Sequence, residues 1–202
     1  MGSKLTLASA SPARLALLRS AGIEPDVVVS DVDEAAITAD LGSAGPEELV
    51  GALARAKATT VADRVQGSSA LVLGCDSLFV FDGTVWGKPS GPAEAVDRIR
   101  SMREQEGLLV TGHHLLDVTS GRSESGTAST VVRFGPMTDT EVDAYVATGE
   151  PLAVAGSFTL DGRSAPFIDG VVGDHTNVVG LSLPLLRDLL ARLGHSVIDL
   201  WT

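Results

Sequence analysis

The stretch Leu71-Val-Leu-Gly-Cys-Asp-Ser-Leu-Phe-Val-Phe-Asp-Gly-Thr-Val-Trp-Gly-Lys-Pro89 contains two apolar runs, a turn signal and two charged residues of interest. The first run, Leu71 to Gly74, is typical of a strand buried on both faces, and Asp76 follows it. Asp82-Gly83 is a two-residue hairpin signal, which predicts that the chain returns toward Lys88 after the second run. The stretch therefore predicts an acid and an ammonium group at neighbouring strand ends, which suits chemistry on an anion.

The composition indicates an acidic globular protein with one sizeable core. The chain of 202 residues is 44% hydrophobic and 20% charged, which argues against disorder and predicts a single domain over residues 1–202. The net charge of −11 disfavours binding to nucleic-acid polymers or to an anionic membrane surface. A protein this acidic needs a local cationic pocket, a metal ion or both if it handles phosphates.

The sequence predicts a cytoplasmic protein. It contains no run of 18 apolar residues, so no membrane-spanning helix is expected, and no secretory signal is expected at its start. Cys75 is the only cysteine, which excludes an internal disulfide and fits a reducing cytosol.

A serine-rich turn joins the first predicted strand to the first predicted helix. Leu5 to Ala8 alternates like a strand, and Ser11 followed by Pro12 is the pattern of an N-cap and a first helical residue. Hydroxyls and backbone N–H groups at a helix N-terminus can bind an anion, and Arg14 can reach the same anion. The alternative is plain capping by Ser11 with Arg14 in solvent, and the local sequence leaves both open.

Two further features are ambiguous on their own. Ser30-Asp-Val-Asp-Glu34 places three carboxylates within four residues, which suits a metal or a cationic ligand but also an ordinary solvated turn. The helix predicted to begin at Pro46 carries Lys57 on an otherwise apolar face, where a lysine either extends to solvent or points into a site. Residues 38–45, between these features, are expected to form a loop.

The order of the predicted elements indicates the fold class. Strands alternate with helices, and a long hairpin lies in the middle, which predicts an α/β fold with a mixed sheet. Ligands bind near the carboxyl ends of strands in open α/β sheets, which is where the candidate polar residues are expected. His113 and His114 are adjacent in a predicted strand and face opposite sides, so they are interpreted as structural or surface residues, not as a metal pair.

Several short segments, spread over nearly the whole chain, belong together. They are Leu7-Ala-Ser-Ala-Ser-Pro-Ala-Arg14, Ser30-Asp-Val-Asp-Glu34, Leu53-Ala-Arg-Ala-Lys-Ala58, Gly74-Cys-Asp-Ser77, Trp86-Gly-Lys-Pro89, Tyr145 to Pro151, Ala155-Gly156 and Gly173 to Leu181. In this order they resemble the motifs of the Maf family, also called septum-formation-inhibitor-like nucleotide pyrophosphatases. No single motif carries the resemblance, which makes it specific.

The resemblance implies a reaction and a fold. The reaction is hydrolysis of nucleoside or deoxynucleoside triphosphates, including non-standard ones, to the monophosphate and pyrophosphate with Mg²⁺ or Mn²⁺. The fold resembles that of inosine triphosphate pyrophosphatases, with an elongated mixed β-sheet flanked by helices and two lobes around a central cleft. The family resemblance also implies a homodimer, and the family is associated with the removal of non-standard nucleotides and with arrest of septum formation.

By matching position, the resemblance also implies a site. Asp76 is the implied proton acceptor, and Glu34 and Asp76 are the implied metal ligands. Water attacks the α-phosphorus while cations stabilise the developing charge. The implied phosphate-binding residues are Ser9, Ser11, Arg14, Lys57 and Lys88, and the implied catalytic residues are Asp76, Lys88, Lys57 and Glu34.

Some positions depart from the family pattern. Ala13 and Val154 stand where Arg and Lys are usual, and Gly107 stands where His is usual. Phe158 and Asp161 replace the usual Tyr and Gln, so the chain does not match the subgroup that prefers thymidine and uridine triphosphates, and the base stays open. If the lost cations prevent turnover, the alternative function is a non-catalytic, nucleotide-binding regulator of cell division. A phosphatase that cleaves the terminal phosphate is a third possibility.

Overall fold

The computed structural model describes residues 4–65 and 71–202, which form a mixed α/β fold, as predicted. The strands are β1 Leu5–Leu7, β2 Asp26–Val27, β3 Leu71–Phe81, β4 Thr84–Trp86, β5 Glu106–Asp117, β6 Ser123–Phe134 and β7 Ile168–Val172. The helices are α1 Pro12–Ser20, α2 Glu34–Leu41, α3 Pro46–Arg64, α4 Pro92–Met102, α5 Asp139–Ala147, α6 His175–Val179 and α7 Leu183–Leu193. Within the described residues the strands form one mixed sheet in the order β2-β1-β3-β5-β6-β7, with β4 paired to β3.

The chain divides into two compact units, each with its own core. The first unit contains the described residues up to Asp76 together with Thr111–Ala128 and Gly180–Thr202, and leucines from β1, α1, β3 and α7 fill its main core. The second unit contains Ser77–Val110 and Ser129–Val179, and its core is rich in aromatic side chains around Phe79. In the part of the chain that the structure covers, no helix is both long enough and apolar enough to cross a membrane.

The start of the first unit is built as its capping signals predict. The Ser11 hydroxyl caps α1 by accepting a hydrogen bond from the Arg14 backbone N–H at 3.4 Å, and Pro12 is the first helical residue. Strand β1 lies between β2 and β3 and is parallel to both. This short strand ends at Leu7, so Ser9 and the start of α1 follow directly from its carboxyl end.

Strand β3 differs from its prediction in length. We expected a strand end before Asp76, but β3 is continuous from Leu71 to Phe81 and carries Asp76 in its interior. The polar residue does not end the strand because its carboxylate pairs with a lysine from α3. The ladder with β1 ends at Leu73, so Asp76 lies beyond the carboxyl end of β1. The site is therefore at the end of β1, not at the end of β3.

The predicted hairpin is present. Strand β4 pairs antiparallel with β3 through Phe81↔Thr84, around Asp82 and Gly83, whose positive φ values of 46° and 71° are those of a tight hairpin turn. The strand ends at Trp86, so Lys88 lies just outside it.

Helix α3 and strand β3 approach each other closely at Gly74. A Cβ atom on this residue would clash with the backbone carbonyl of Ala54 and would lie 2.8 Å from the backbone N of Ala58. Because side chains alternate along a strand, Gly74 faces the same side as Asp76. The missing side chain therefore lets α3 lie near enough to bring Lys57 to Asp76.

Replacing Gly74 with alanine is expected to lower the free energy of unfolding by about 3 kcal/mol or more, because rigid backbone atoms must move. A matched control is Gly51→Ala on α3, where an added Cβ meets nothing within 4 Å. That change is expected to stabilise the helix by about 0.5–1 kcal/mol. Urea denaturation of both variants tests the pair, and a Gly74→Ala protein as stable as the parent would contradict the close packing.

Candidate active site

The predicted site residues Asp76 and Glu34 both contact the ammonium group of Lys57. Its Nζ lies 2.6 Å from Asp76 Oδ1 and 2.7 Å from Glu34 Oε1. Lys57 and Asp76 are both 8% exposed, whereas the Glu34 side chain is 55% exposed. The lysine therefore points into a site and does not extend to solvent, which decides between the two interpretations left open by its apolar helix face.

The acidic segment before α2 separates into three different roles. The Asp31 carboxylate pairs with Arg64 at 3.4 Å, and Asp33 Oδ1 caps α2 by accepting from the Ala36 N–H at 2.9 Å. Glu34 is the member of the segment that reaches Lys57. The expected loop over residues 38–45 was wrong in its first half, because α2 continues to Leu41 from the cap that Asp33 provides.

Burial raises the pKa of two neighbouring residues of β3, Asp76 and Cys75. Burial raises the pKa of Asp76, although the positive charges of Lys57 and Arg14 act in the opposite direction. The neighbouring Cys75 is fully buried, and burial raises the pKa of its thiol to about 12. Asp76 is thus a stronger base than an exposed aspartate, while Cys75 stays a protonated core residue.

The Arg14 side chain, on the first turn of α1, is held by contacts to Gly180 and Ser9. Its Nε donates to the carbonyl oxygen of Gly180 at 2.7 Å, and its Nη1 donates to Ser9 Oγ at 3.1 Å. The backbone N–H of Ser11 also donates to Ser9 Oγ, at 3.2 Å. With two donors directed at its oxygen, the Ser9 hydroxyl has its own hydrogen to donate. Arg14 is buried here, not extended into solvent, and its charge reaches Asp76.

Lys88 belongs to the second unit. It lies two residues after the end of β4, and its side chain is exposed. Its part in the site stays a prediction. The structure thus brings together Ser9, Arg14, Glu34, Lys57 and Asp76 within the first unit, and the hydroxyl of Ser11 acts as a helix cap beside them.

Comparison with known proteins shows the family of the chain. A family model described as Maf-like protein matches residues 4–193. The chain belongs to the Maf family. It is 60% identical over 198 residues to a Streptomyces coelicolor protein named nucleoside triphosphate pyrophosphatase, covering 98% of this chain and 94% of that protein. A protein of the same name from Streptomyces avermitilis is 55% identical over 199 residues, covering 98% and 95%.

A solved structure was also compared with this Maf chain. It is the nucleoside-triphosphatase, or dITP/XTP pyrophosphatase, from Mycobacterium abscessus. The two are 15% identical with a TM-score of 0.36, and the match covers 65% of the Maf chain and 72% of the other.

One contact of Arg14, with the Gly180 carbonyl, was missed by the sequence analysis. The Gly180 carbonyl that receives Arg14 is 166 positions away along the chain, and a backbone acceptor has no characteristic side chain. The Gly173-to-Leu181 segment quoted for the family resemblance includes this residue, which was the available hint.

Proposed function

We propose that this Maf protein hydrolyses nucleoside triphosphates to the monophosphate and pyrophosphate through attack of water at the α-phosphorus. The observation that carries the proposal is the buried Lys57 ammonium shared by Asp76 and Glu34. Two relatives at 55% and 60% identity bear the name of this activity.

Asp76 is the proposed proton acceptor. Its carboxylate is buried, and burial raises its pKa, which strengthens it as a base toward the attacking water. Lys57 binds one carboxylate oxygen, Oδ1, and its positive charge favours the ionised form of the group. The other oxygen, Oδ2, is then the proposed site that receives the proton.

The triphosphate is held by the cationic groups and the start of α1. The Arg14 guanidinium and the Ser9 hydroxyl are coupled at 3.1 Å, so both can bind the same phosphate group. The N-terminal end of α1, beside Ser11, adds a positive partial charge. Lys88 is proposed as a further phosphate-binding cation. Ala13 lacks a charge, so Arg14 carries more of the binding at this turn.

A divalent cation fits the donor set. Glu34 and Asp76 converge on one ammonium group, so their oxygens also lie within reach of one Mg²⁺ or Mn²⁺ ion. Magnesium is commonly bound by one or two carboxylates together with water and substrate phosphates. Among the described residues, no cluster of three or more acidic, His or Cys side chains is placed to hold a metal. When bound, the metal supplies charge stabilisation on the phosphate oxygens.

We further propose that the protein acts in the cytoplasm as a homodimer and removes non-standard nucleotides, as the family resemblance implies. Light scattering coupled to size-exclusion chromatography measures the oligomeric state. A monomer at working concentration would contradict the dimer.

A nucleotide panel tests the proposed reaction. Standard and modified triphosphates are incubated with the purified protein and Mg²⁺ or Mn²⁺, and pyrophosphate and orthophosphate are measured separately. Pyrophosphate release with an equal amount of monophosphate is expected. Saturable binding without hydrolysis would instead favour the cell-division regulator, and orthophosphate alone would indicate cleavage of the terminal phosphate.

A further inference from the structure

His113 is a fully buried polar residue of β5 in the first unit. The backbone N–H of Ser182 donates to His113 Nε2 at 2.9 Å, and Nδ1 lies 3.2 Å from the carbonyl oxygen of Thr111. A backbone N–H can only donate, so Nε2 is the unprotonated nitrogen. The hydrogen therefore lies on Nδ1 and is donated to Thr111. The ring is neutral, and both of its nitrogens fix its orientation.

The segment of residues 180–182 connects His113 to the phosphate end of the site. Ser182 caps α7, because its Oγ accepts from the Leu185 N–H at 3.1 Å. Two residues earlier, the carbonyl of Gly180 accepts from Arg14 Nε at 2.7 Å. Leu181, between them, is fully buried in the leucine core. The direction of the Gly180 carbonyl therefore depends on how Ser182 is held.

Contacts at Nε and at Nη1 set the orientation of the Arg14 guanidinium group. The Gly180 carbonyl binds Nε on one side, and Ser9 Oγ binds Nη1 on the other. A planar guanidinium held at Nε and at Nη1 has a fixed plane and direction. A shift of the Gly180 carbonyl would turn this group away from the phosphate that it is proposed to bind.

We propose that His113 is a positioning residue for phosphate binding. By accepting the Ser182 N–H, it fixes the segment of residues 180–182 and thereby aims Arg14 at the triphosphate. The inference rests on the proposed function for the identity of the ligand. An apolar residue at this position would leave a buried backbone N–H without its acceptor, which disfavours the observed path of the segment.

Two substitutions separate the hydrogen bond from simple packing. His113→Leu removes the acceptor, whereas His113→Gln keeps a carbonyl oxygen that can accept the Ser182 N–H. His114→Leu is the matched control, because that neighbouring ring contacts Ser125 Oγ at 2.7 Å and lies on the opposite side of the strand. The measurements are KM and kcat for pyrophosphate release and the Kd for inorganic tripolyphosphate by calorimetry, in which the binding stoichiometry reports the folded fraction.

For His113→Leu we expect KM and the tripolyphosphate Kd to rise roughly tenfold, which corresponds to about 1.4 kcal/mol of binding free energy. His113→Gln is expected to restore most of the affinity, and His114→Leu is expected to match the parent. A variant that only lost folded protein would show reduced kcat and stoichiometry at an unchanged KM and Kd, which would overturn the proposal. Failure of His113→Gln to improve on His113→Leu would also overturn it.

A double-substitution cycle tests whether His113 acts through Arg14. In an Arg14→Ala background, His113→Leu is expected to change the tripolyphosphate Kd by less than about twofold, because the residue that it positions is gone. Independent, multiplying effects would overturn the route through Arg14. If the parent binds tripolyphosphate but hydrolyses no nucleotide, the proposed function fails, while the Kd values still decide the role of His113.

Discussion

Replacing Asp76 with asparagine is expected to reduce kcat for pyrophosphate release by about 10²–10⁴-fold, the contribution of a positioned general base. Asparagine keeps the shape of the side chain and can still accept a hydrogen bond from Lys57, but its amide cannot take a proton from water. The loss should therefore appear mainly in kcat. The measurement is steady-state pyrophosphate release near neutral pH, on the nucleotide that the parent protein hydrolyses fastest.

Asp117 provides a matched control for this substitution. Its carboxylate lies at the end of β5, is 7% exposed, and accepts hydrogen bonds from Ser120 Oγ at 2.7 Å and from the Thr119 N–H at 2.9 Å. Asp117→Asn is expected to lose stability, by about 1–3 kcal/mol, and to keep the kcat of the parent. Asp76 is not the proton acceptor if Asp76→Asn retains the parental kcat or if Asp117→Asn loses as much.

The parts of the framework that depend on neighbouring residues could be predicted from the sequence. Ser11 with Pro12 predicts the start of α1, Pro46 predicts the start of α3, and Asp82-Gly83 predicts the hairpin. Each of these signals acts through the backbone conformation that it permits, so it needs no information from distant residues. The α/β class follows from the alternation of such elements.

The partners of the charged groups could not be predicted in the same way. The sequence left two interpretations of Lys57 open, because its direction depends on the close packing of α3 on Gly74. Similarly, the three carboxylates of the acidic segment cannot be distinguished from the sequence. In the folded chain, Asp31 pairs with Arg64, whereas Glu34 pairs with Lys57. The sequence therefore identified the charged residues, but their partners depend on packing between distant parts of the chain.

Substituting Lys57 with methionine is expected to cost about 3–5 kcal/mol of stability, the usual effect of removing one partner from a buried ion pair. Methionine fills much of the space of the lysine stem, so the loss comes mainly from the Asp76 carboxylate, which stays buried without its ammonium partner. Glu34 contributes little, because water can solvate its side chain, which is 55% exposed. Urea denaturation of the variant and of the parent measures the difference.

The pH dependence of this variant identifies the cause. Burial raises the pKa of Asp76 and Lys57 lowers it, so removing Lys57 leaves the folded-state pKa further above the unfolded value. The native state then binds more protons than the unfolded state, so the free energy of unfolding falls as pH rises through the folded-state pKa. We therefore expect Lys57→Met to regain stability on acidification. The double variant Lys57→Met/Asp76→Asn should be more stable than Lys57→Met alone and should not share its added pH dependence. Equal losses at all pH values would instead indicate that the stem of Lys57 stabilises the fold by packing.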